Sequence, residues 1–544
     1  MLERLAGERF DVVVVGGGIT GVGVALDAAT RGLRVALVER DDLASGTSSK
    51  SSKLVHGGLR YLQSGEVRLV YEALHERQRL LRNAPHLVTP LTFMIPILSR
   101  DGVVSKKVAK ALGSALWTYD LTGGWRIGAR HRRIRADRAA ALAPTMPTDR
   151  LAGAFLYHDA EADDARLTLT VARTAAQAGA VVATRCEVVE VTHEQGRAAG
   201  VVVRDTIGDR RIAVRATTVV NAAGVWLDRI RQLDEGVDPG SIRPAKGVHV
   251  TVPWERLRVE AAVVIPVPKD RRSLFVVPWG RLDDGTYRYA YVGTTDTDDG
   301  ADLDDPQCSA VDLDYVLRAL NHSFSPPEGP LTIHDVTGVW AGLRPLVTGS
   351  GTGRTADLSR RHAVTTSEHG VVAVAGGKLT TYRQMAADTV DEVMRRIGRR
   401  GRSRTARHRL VGGRGFRSPA ADASPLERHL ANRYGTEAPL VEALLREDPS
   451  LAAPLVPGLP YVRAEAIHAA RHEMARTLDD VLLRRTRAHL FDRDATLTAA
   501  PAIARLLAAE LGWDEAETDR QLAAYAERCR REVDAAATVT GAPR

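Results

Sequence analysis

Residues 12 to 39 leave this chain little choice of fold. Val12 to Val15 form a β-branched run that ends abruptly in Gly16, Gly17 and Gly18, with Gly21 close behind. Val22, Leu26 and Ala29 then recur at helical spacing, and a second β-rich run ends in Glu39. Strand, glycine turn, helix and strand make a β-α-β unit. The glycines fall where strand becomes helix, so the backbone can turn tightly and approach a pyrophosphate while the helix N-terminus stabilises the anion. Glu39 stands at the end of the second strand, where a carboxylate accepts ribose hydroxyls. The unit predicts a bound dinucleotide.

The fingerprint does not by itself separate NAD from FAD. The next stretch does. Thr47, Ser48, Ser49, Ser51 and Ser52, in TSSKSSK, form a hydroxyl cluster able to donate to phosphates and to a flavin ring, and LVHGGLRY follows at residues 54 to 61. With these residues the chain resembles the FAD-dependent glycerol-3-phosphate dehydrogenases, of the D-amino-acid-oxidase-like flavoprotein superfamily, whose pattern TSS-x-SSKL-x-HGG-x-RYL it matches. Three further stretches match: FVVPW (275 to 279) with VGTTD (292 to 296), GLRPL (342 to 346) and GGKLTTYR (376 to 383). The resemblance implies noncovalent FAD and oxidation of sn-glycerol 3-phosphate to dihydroxyacetone phosphate by hydride transfer to flavin N5. It further implies electrons passed to a membrane quinone by a peripheral enzyme. A glycerol-3-phosphate oxidase using dioxygen is the alternative within enzymes. An amino-acid oxidase is disfavoured, because three clustered arginines exceed what one carboxylate requires.

At 544 residues the chain is too long for one hydrophobic core. The expected fold is α/β: a Rossmann-like FAD-binding domain, an antiparallel β-rich substrate domain and an all-α C-terminal domain. The FAD-binding part is discontinuous, residues 1–88 with 150–234 and 336–398. Residues 89–149 with 235–335 form the substrate part, 399–409 a basic linker and 410–544 the helical part. Several local signals set these limits. PLTFMIPIL at 90 to 98 carries prolines that suit an edge strand of a different sheet. Asp163 or Asp164 caps a helix that Gly179 stops. TTVVNAAGVW at 217 to 226 and VVAVAGG at 371 to 377 each run a strand into small residues, as at a cofactor crevice. Asp284-Gly285 marks a hairpin.

A net charge of +8 and a pI near 9.5 suit an anionic substrate, nucleic acid or acidic lipid alike. The arginine-rich segment 395 to 409 lacks interleaved aromatics, so nucleic acid is not expected as a partner. Cys186, Cys308 and Cys529 are far apart and no Cys/His spacing implies a metal. MLERLAGERF lacks the apolar core of a signal peptide, and no window is apolar enough to span a bilayer. The expected place is the cytoplasm, at the inner face of the cell membrane, with a homodimer as an open expectation. Residues 104 to 119 read as an amphipathic helix with Lys106, Lys107 and Lys110 near one end. It either packs on its own domain or lies on an anionic membrane surface with Trp117 at the boundary.

Oxidising a secondary alcohol on a flavin needs a proton acceptor, a clamp for the substrate and donors facing the flavin ring. His56, followed by two glycines, is the leading proton acceptor, with His249 second. Arginine forks fit phosphate oxygens best. The motifs supply Arg60 with Tyr61, Arg344, and Arg360 by resemblance. Lys378, catalytic and substrate-binding in this reading, joins Gly377, Leu379 and Thr380 as a helix-start donor set facing the flavin. Gly224, in the small-residue turn of TTVVNAAGVW, is a further residue expected at the cofactor.

Overall fold

The computed structural model describes residues 1–59, 66–99, 104–105, 109–270, 272–298, 302–348 and 362–537. The strand Arg9–Val15 is the centre of the first sheet. It pairs in parallel with Val35–Val38 on one side and Arg211–Asn221 on the other. Val181–Ala183 and Val372–Ala375 extend the parallel sheet outward, and Ala363–Thr366 closes one edge antiparallel. Both faces are covered, which is why the strand reads as continuous valine rather than as an alternation. Val12 and Val14 pack under the helices Ile19–Thr30, Asp164–Gln177 and Tyr382–Arg396. Val13 and Val15 face Leu5 and the antiparallel strands Cys186–Glu194 and Arg197–Asp205.

The second sheet is mostly antiparallel and contains the expected hairpin, Ser273–Arg281 to Tyr287–Gly293. Gly285 takes φ 88° in its turn, and the Asp284 carboxylate accepts from the Thr286 amide. Two strands assigned from the sequence to the cofactor-binding part, Leu151–Ala162 and Gly338–Val347, belong to this sheet instead. The strand Val88–Leu98 is interior, between Leu151–Ala162 and Ala262–Pro266, and not the expected edge. Its prolines are tolerated because Ala262–Pro266 pairs only with Phe93 and Met94, clear of Pro90 and Pro96, so neither missing N–H interrupts that ladder.

From Pro425 to Ala537 the chain is mostly helical, with Ile503 and Leu507 in one core and Gly512 ending the helix Arg493–Leu511 at φ 69°. Asp163 caps the helix Asp164–Gln177 by accepting from the Arg166 amide. The helix expected over 104–119 begins at Ala109 and ends at Leu121, after a short strand Val104–Ser105. Ala109, Leu112, Leu116 and Tyr119 enter the domain core, while Trp117 and Leu121 remain 53% and 77% exposed. Lys106 and Lys107, and the side chain of Lys110, lie outside the described residues. The arginine-rich segment keeps its arginines in solvent yet is tethered, with the Ser403 and Thr405 hydroxyls on the buried Asp27 carboxylate. All three cysteines are free and buried. Among the described residues no helix is long and apolar enough to cross a membrane.

Candidate active site

At the carboxyl ends of the parallel strands lies a cleft lined by Gly16, Gly18, Glu39, Ser48, Gly224 and Lys378, among others. Its geometry follows from the glycines. A Cβ on Gly21 would sit 1.9 Å from the Gly16 carbonyl oxygen, and one on Gly16 would sit 2.6 Å from that of Ala222. Only glycine allows helix, turn and neighbouring strand end to meet this closely. The Glu39 carboxylate is fixed by the amides of Gly17 (2.6 Å) and Asp41 (2.9 Å). Burial raises its pKa, against the pull of these two amides. The Asn221 side chain holds the opposite rim, accepting from the Ala223 amide and donating to the Leu227 carbonyl. This capping asparagine was not singled out in the sequence, although Asn before a small-residue turn is a recognisable signal. A glycine cradle, a fixed carboxylate at a strand end and a long cleft fit FAD.

A second cleft is lined by Thr47, Lys50, Ser52, His56, His249 and Arg344, among others. The two clefts share Thr47, Pro345, Gly376, Gly377, Lys378 and Leu379, which form a common wall between them. Gly376 and Gly377 take φ 74° and 78° and turn the strand end into the cleft ahead of the helix Tyr382–Arg396. His56 is held from two directions. Its amide donates to Thr380 Oγ1 (3.1 Å), and the following Gly57 amide donates to Tyr119 Oη (3.1 Å) and Asp159 Oδ1 (3.2 Å). Asp159 is in turn neutralised by the fully buried Arg77. That charge pair accounts for a fully buried arginine on the helix Val67–Asn83.

Arg344 spreads its guanidinium over the cleft wall. One nitrogen donates to Thr294 Oγ1 (2.9 Å) and the Thr295 carbonyl (3.1 Å), and the other to Asp296 Oδ1 (3.2 Å) and the Lys246 carbonyl (3.3 Å). His249 stacks on Trp340 with ring centroids 4.9 Å apart, and its Nε2 meets Ser52 Oγ at 2.8 Å. Burial, with Lys53 and Arg344 nearby, pushes its pKa well below the ordinary histidine value, so the imidazole is neutral. Lys50 is pushed down to about 8, chiefly by burial and then by Arg528. Lys50 was not singled out from the sequence. A lysine inside a serine-rich loop carries no sign that it will point into a cleft.

The hydroxyl cluster divides. Ser48 accepts from the Ile19 amide at the cofactor helix, and Thr47 donates to the Leu343 carbonyl. Ser51 is bound to the buried Asp164, and Ser52 faces His249. The hydroxyl of Ser49, expected at the cofactor, donates to the Gly46 carbonyl, and the Ser49 carbonyl accepts from Arg487. Arg60, Tyr61 and Arg360 lie outside the described residues.

Fold and clefts together define a flavin-dependent oxidoreductase. Residues 11–383 match the FAD-dependent oxidoreductases, and residues 403–518 match the C-terminal domain of alpha-glycerophosphate oxidase. The chain is 42% identical to glycerol-3-phosphate dehydrogenase 2 of Mycobacterium bovis, over 98% of this chain and 90% of the relative. It is 36% identical to the human mitochondrial glycerol-3-phosphate dehydrogenase, over 94% of this chain and 72% of the relative. The crystal structure of the Bacillus halodurans glycerol-3-phosphate dehydrogenase complexed with FAD superposes with a TM-score of 0.78 at 30% identity, covering 99% of this chain and 98% of that one. The chain belongs to the FAD-dependent glycerol-3-phosphate dehydrogenase family.

Proposed function

We propose that this chain oxidises sn-glycerol 3-phosphate to dihydroxyacetone phosphate on FAD and delivers the electrons to a membrane quinone. The observation that carries the reading is the shared wall of the two clefts, where the glycine turn 376–377 and Lys378 separate a dinucleotide cradle from a basic polar pocket. FAD, when bound, supplies the two-electron acceptor. The protein's residues do the rest. Arg344, Lys378 and Lys50 bring positive charge to a cleft that must hold a phosphate of nearly two negative charges. His56, fixed through Thr380 and Gly57, takes the hydroxyl proton as the carbinol C–H faces the ring. Neutral His249 and Ser52 form a hydrogen-bonding wall that orients the substrate hydroxyls.

The acceptor is a quinone at the membrane surface in this reading, which the exposed Trp117 and Leu121 and the basic charge of the chain support. The similarity of residues 403–518 to an oxidase domain favours dioxygen as the second reading. Glycerol 3-phosphate added under nitrogen should bleach the flavin absorbance, and an unchanged spectrum would sink the substrate assignment. Reoxidation of the bleached enzyme by a quinone analogue, compared with its rate in air, then separates the two acceptors. Changing Trp117 and Leu121 together to Glu should release the protein from anionic vesicles while dye-linked activity persists, and a doubly substituted protein that still sediments with vesicles places the attachment elsewhere.

A further inference from the structure

Away from both clefts, three elements of the cofactor-binding part meet at His193, Asp234 and His369. His193 stands near the end of the strand Cys186–Glu194, Asp234 in the last turn of the helix Leu227–Glu235, and His369 in the turn between Ala363–Thr366 and Val372–Ala375. His193 Nε2 lies 2.9 Å from Asp234 Oδ1, and His369 Nδ1 lies 3.2 Å from the same oxygen. The three candidate ligand atoms all fall within 4.8 Å of one another. The Asp234 side chain is fully buried, yet its second oxygen, Oδ2, has no hydrogen-bond partner. A buried carboxylate oxygen left bare is costly. Hydrogen bonds from the two imidazoles account for Oδ1 and leave Oδ2 unexplained.

We propose that His193, Asp234 and His369 bind a divalent transition-metal ion of the zinc type. Two imidazoles and a carboxylate suit such an ion. Four ligands at about 2.0–2.1 Å from a tetrahedral ion are spaced about 3.3 Å apart, close to the two separations observed. The carboxylate binds through both oxygens, which gives Oδ2 its partner, and water completes the coordination through the open side, where the imidazoles are 29% and 36% exposed. The Nδ1 of His369 also lies 3.0 Å from the Asp234 carbonyl, so the ion takes the place of a proton there.

The site has a structural consequence for the cofactor. The strand bearing His193 starts at Cys186, Glu187 and Val188, and the helix bearing Asp234 carries Arg229 and Ile230, all of which line the FAD cleft. The strand after His369 runs directly into Gly376 and Gly377. An ion that ties the far ends of these elements together restrains the walls of the cleft and slows FAD loss.

Holoenzyme stripped with a chelator and dialysed should bind one equivalent of zinc(II) or cobalt(II) per chain, with cobalt giving the intense visible bands of a four- or five-coordinate site. His193→Ala and His369→Ala should each weaken binding at least about tenfold, abolish the cobalt bands and remove the effect of added metal on FAD release, while dye-linked turnover per bound flavin remains. In the unsubstituted protein the metal should raise the melting temperature and lower the rate at which FAD fluorescence appears on dilution. No stoichiometric binding, or an affinity that both histidine substitutions leave unchanged, overturns the proposal. If Asp234→Asn fails to fold, the two histidine variants still decide the outcome.

Discussion

A single guanidinium illustrates how much a residue's surroundings decide its role. Arg344 lines the second cleft, but Asp296 already compensates part of its charge. If Arg344 grips the substrate phosphate, Arg344→Ala should lower kcat/KM for glycerol 3-phosphate by about one to two orders of magnitude, since a charge-assisted contact contributes roughly 1.5–3 kcal/mol. Lysine should restore only part of the loss. Slow oxidation of glycerol, which has no phosphate, should be nearly indifferent to the change. Equal losses with both substrates would assign Arg344 to holding the Thr294–Asp296 loop. At the cofactor end Glu39 is pinned by two backbone amides, so its carboxylate is pre-positioned for a ribose. Glu39→Gln should weaken FAD binding by roughly 1.5–3 kcal/mol, measured by fluorescence titration of the apoprotein. Retention of FAD through dialysis as in the unsubstituted protein would count against that assignment.

At the scale of elements, the signals that survived were local. The glycine turns, the Asp163 cap and the Asp284-Gly285 hairpin were legible because each depends on residues adjacent in sequence. The strand Val88–Leu98 was misplaced because pairing partners far along the chain decide whether a strand is edge or interior. The docking of the last helix was illegible for the same reason. His489 Nε2 meets the Glu532 carboxylate at 3.0 Å and Nδ1 meets Tyr525 Oη at 3.0 Å. Burial disfavours the imidazolium, but the Glu532 charge and the contacts with Cys529 and Glu532 outweigh it and raise the pKa to about 9. The folded chain therefore holds a proton that the unfolded chain, with its histidine near pH 6.5, gives up. The stabilisation is complete below about pH 6.5 and is lost as the pH rises through about 9, on the order of 3 kcal/mol in all. Urea denaturation between pH 6 and 10 should show this loss, and His489→Gln should flatten it. A slope that His489→Gln leaves unaltered would place the titration on another group.

For the whole molecule, the question is how a helical domain far along the chain comes to influence the cofactor loop. The segment Asp480–Arg485 and the residues after it enter the cofactor-binding part through buried charge. Arg485 pairs with Asp42, Arg166 with Glu473, and Arg487 with Asp164. No motif announces these pairs, because an arginine in a helical stretch reads as solvent-facing until its carboxylate partner is known. Asp164 also receives Ser51 and Lys53, and Arg487 donates to the Ser49 carbonyl. The serine-rich loop is thus clamped between the helix Asp164–Gln177 and the C-terminal domain, and its far side, Thr47 and Ser48, lines the FAD cleft. Removing one member of a buried charge cluster leaves the others uncompensated, typically at a cost of about 3–5 kcal/mol. Arg487→Met should therefore lower the melting temperature and also speed FAD release, because the loop loses its rear support. Arg471→Met provides the comparison, since its pair with Glu510 lies within the helical domain on the surface. A lower melting temperature in Arg487→Met with an unchanged rate of FAD release would show that the helical domain stabilises the chain without bearing on the cofactor.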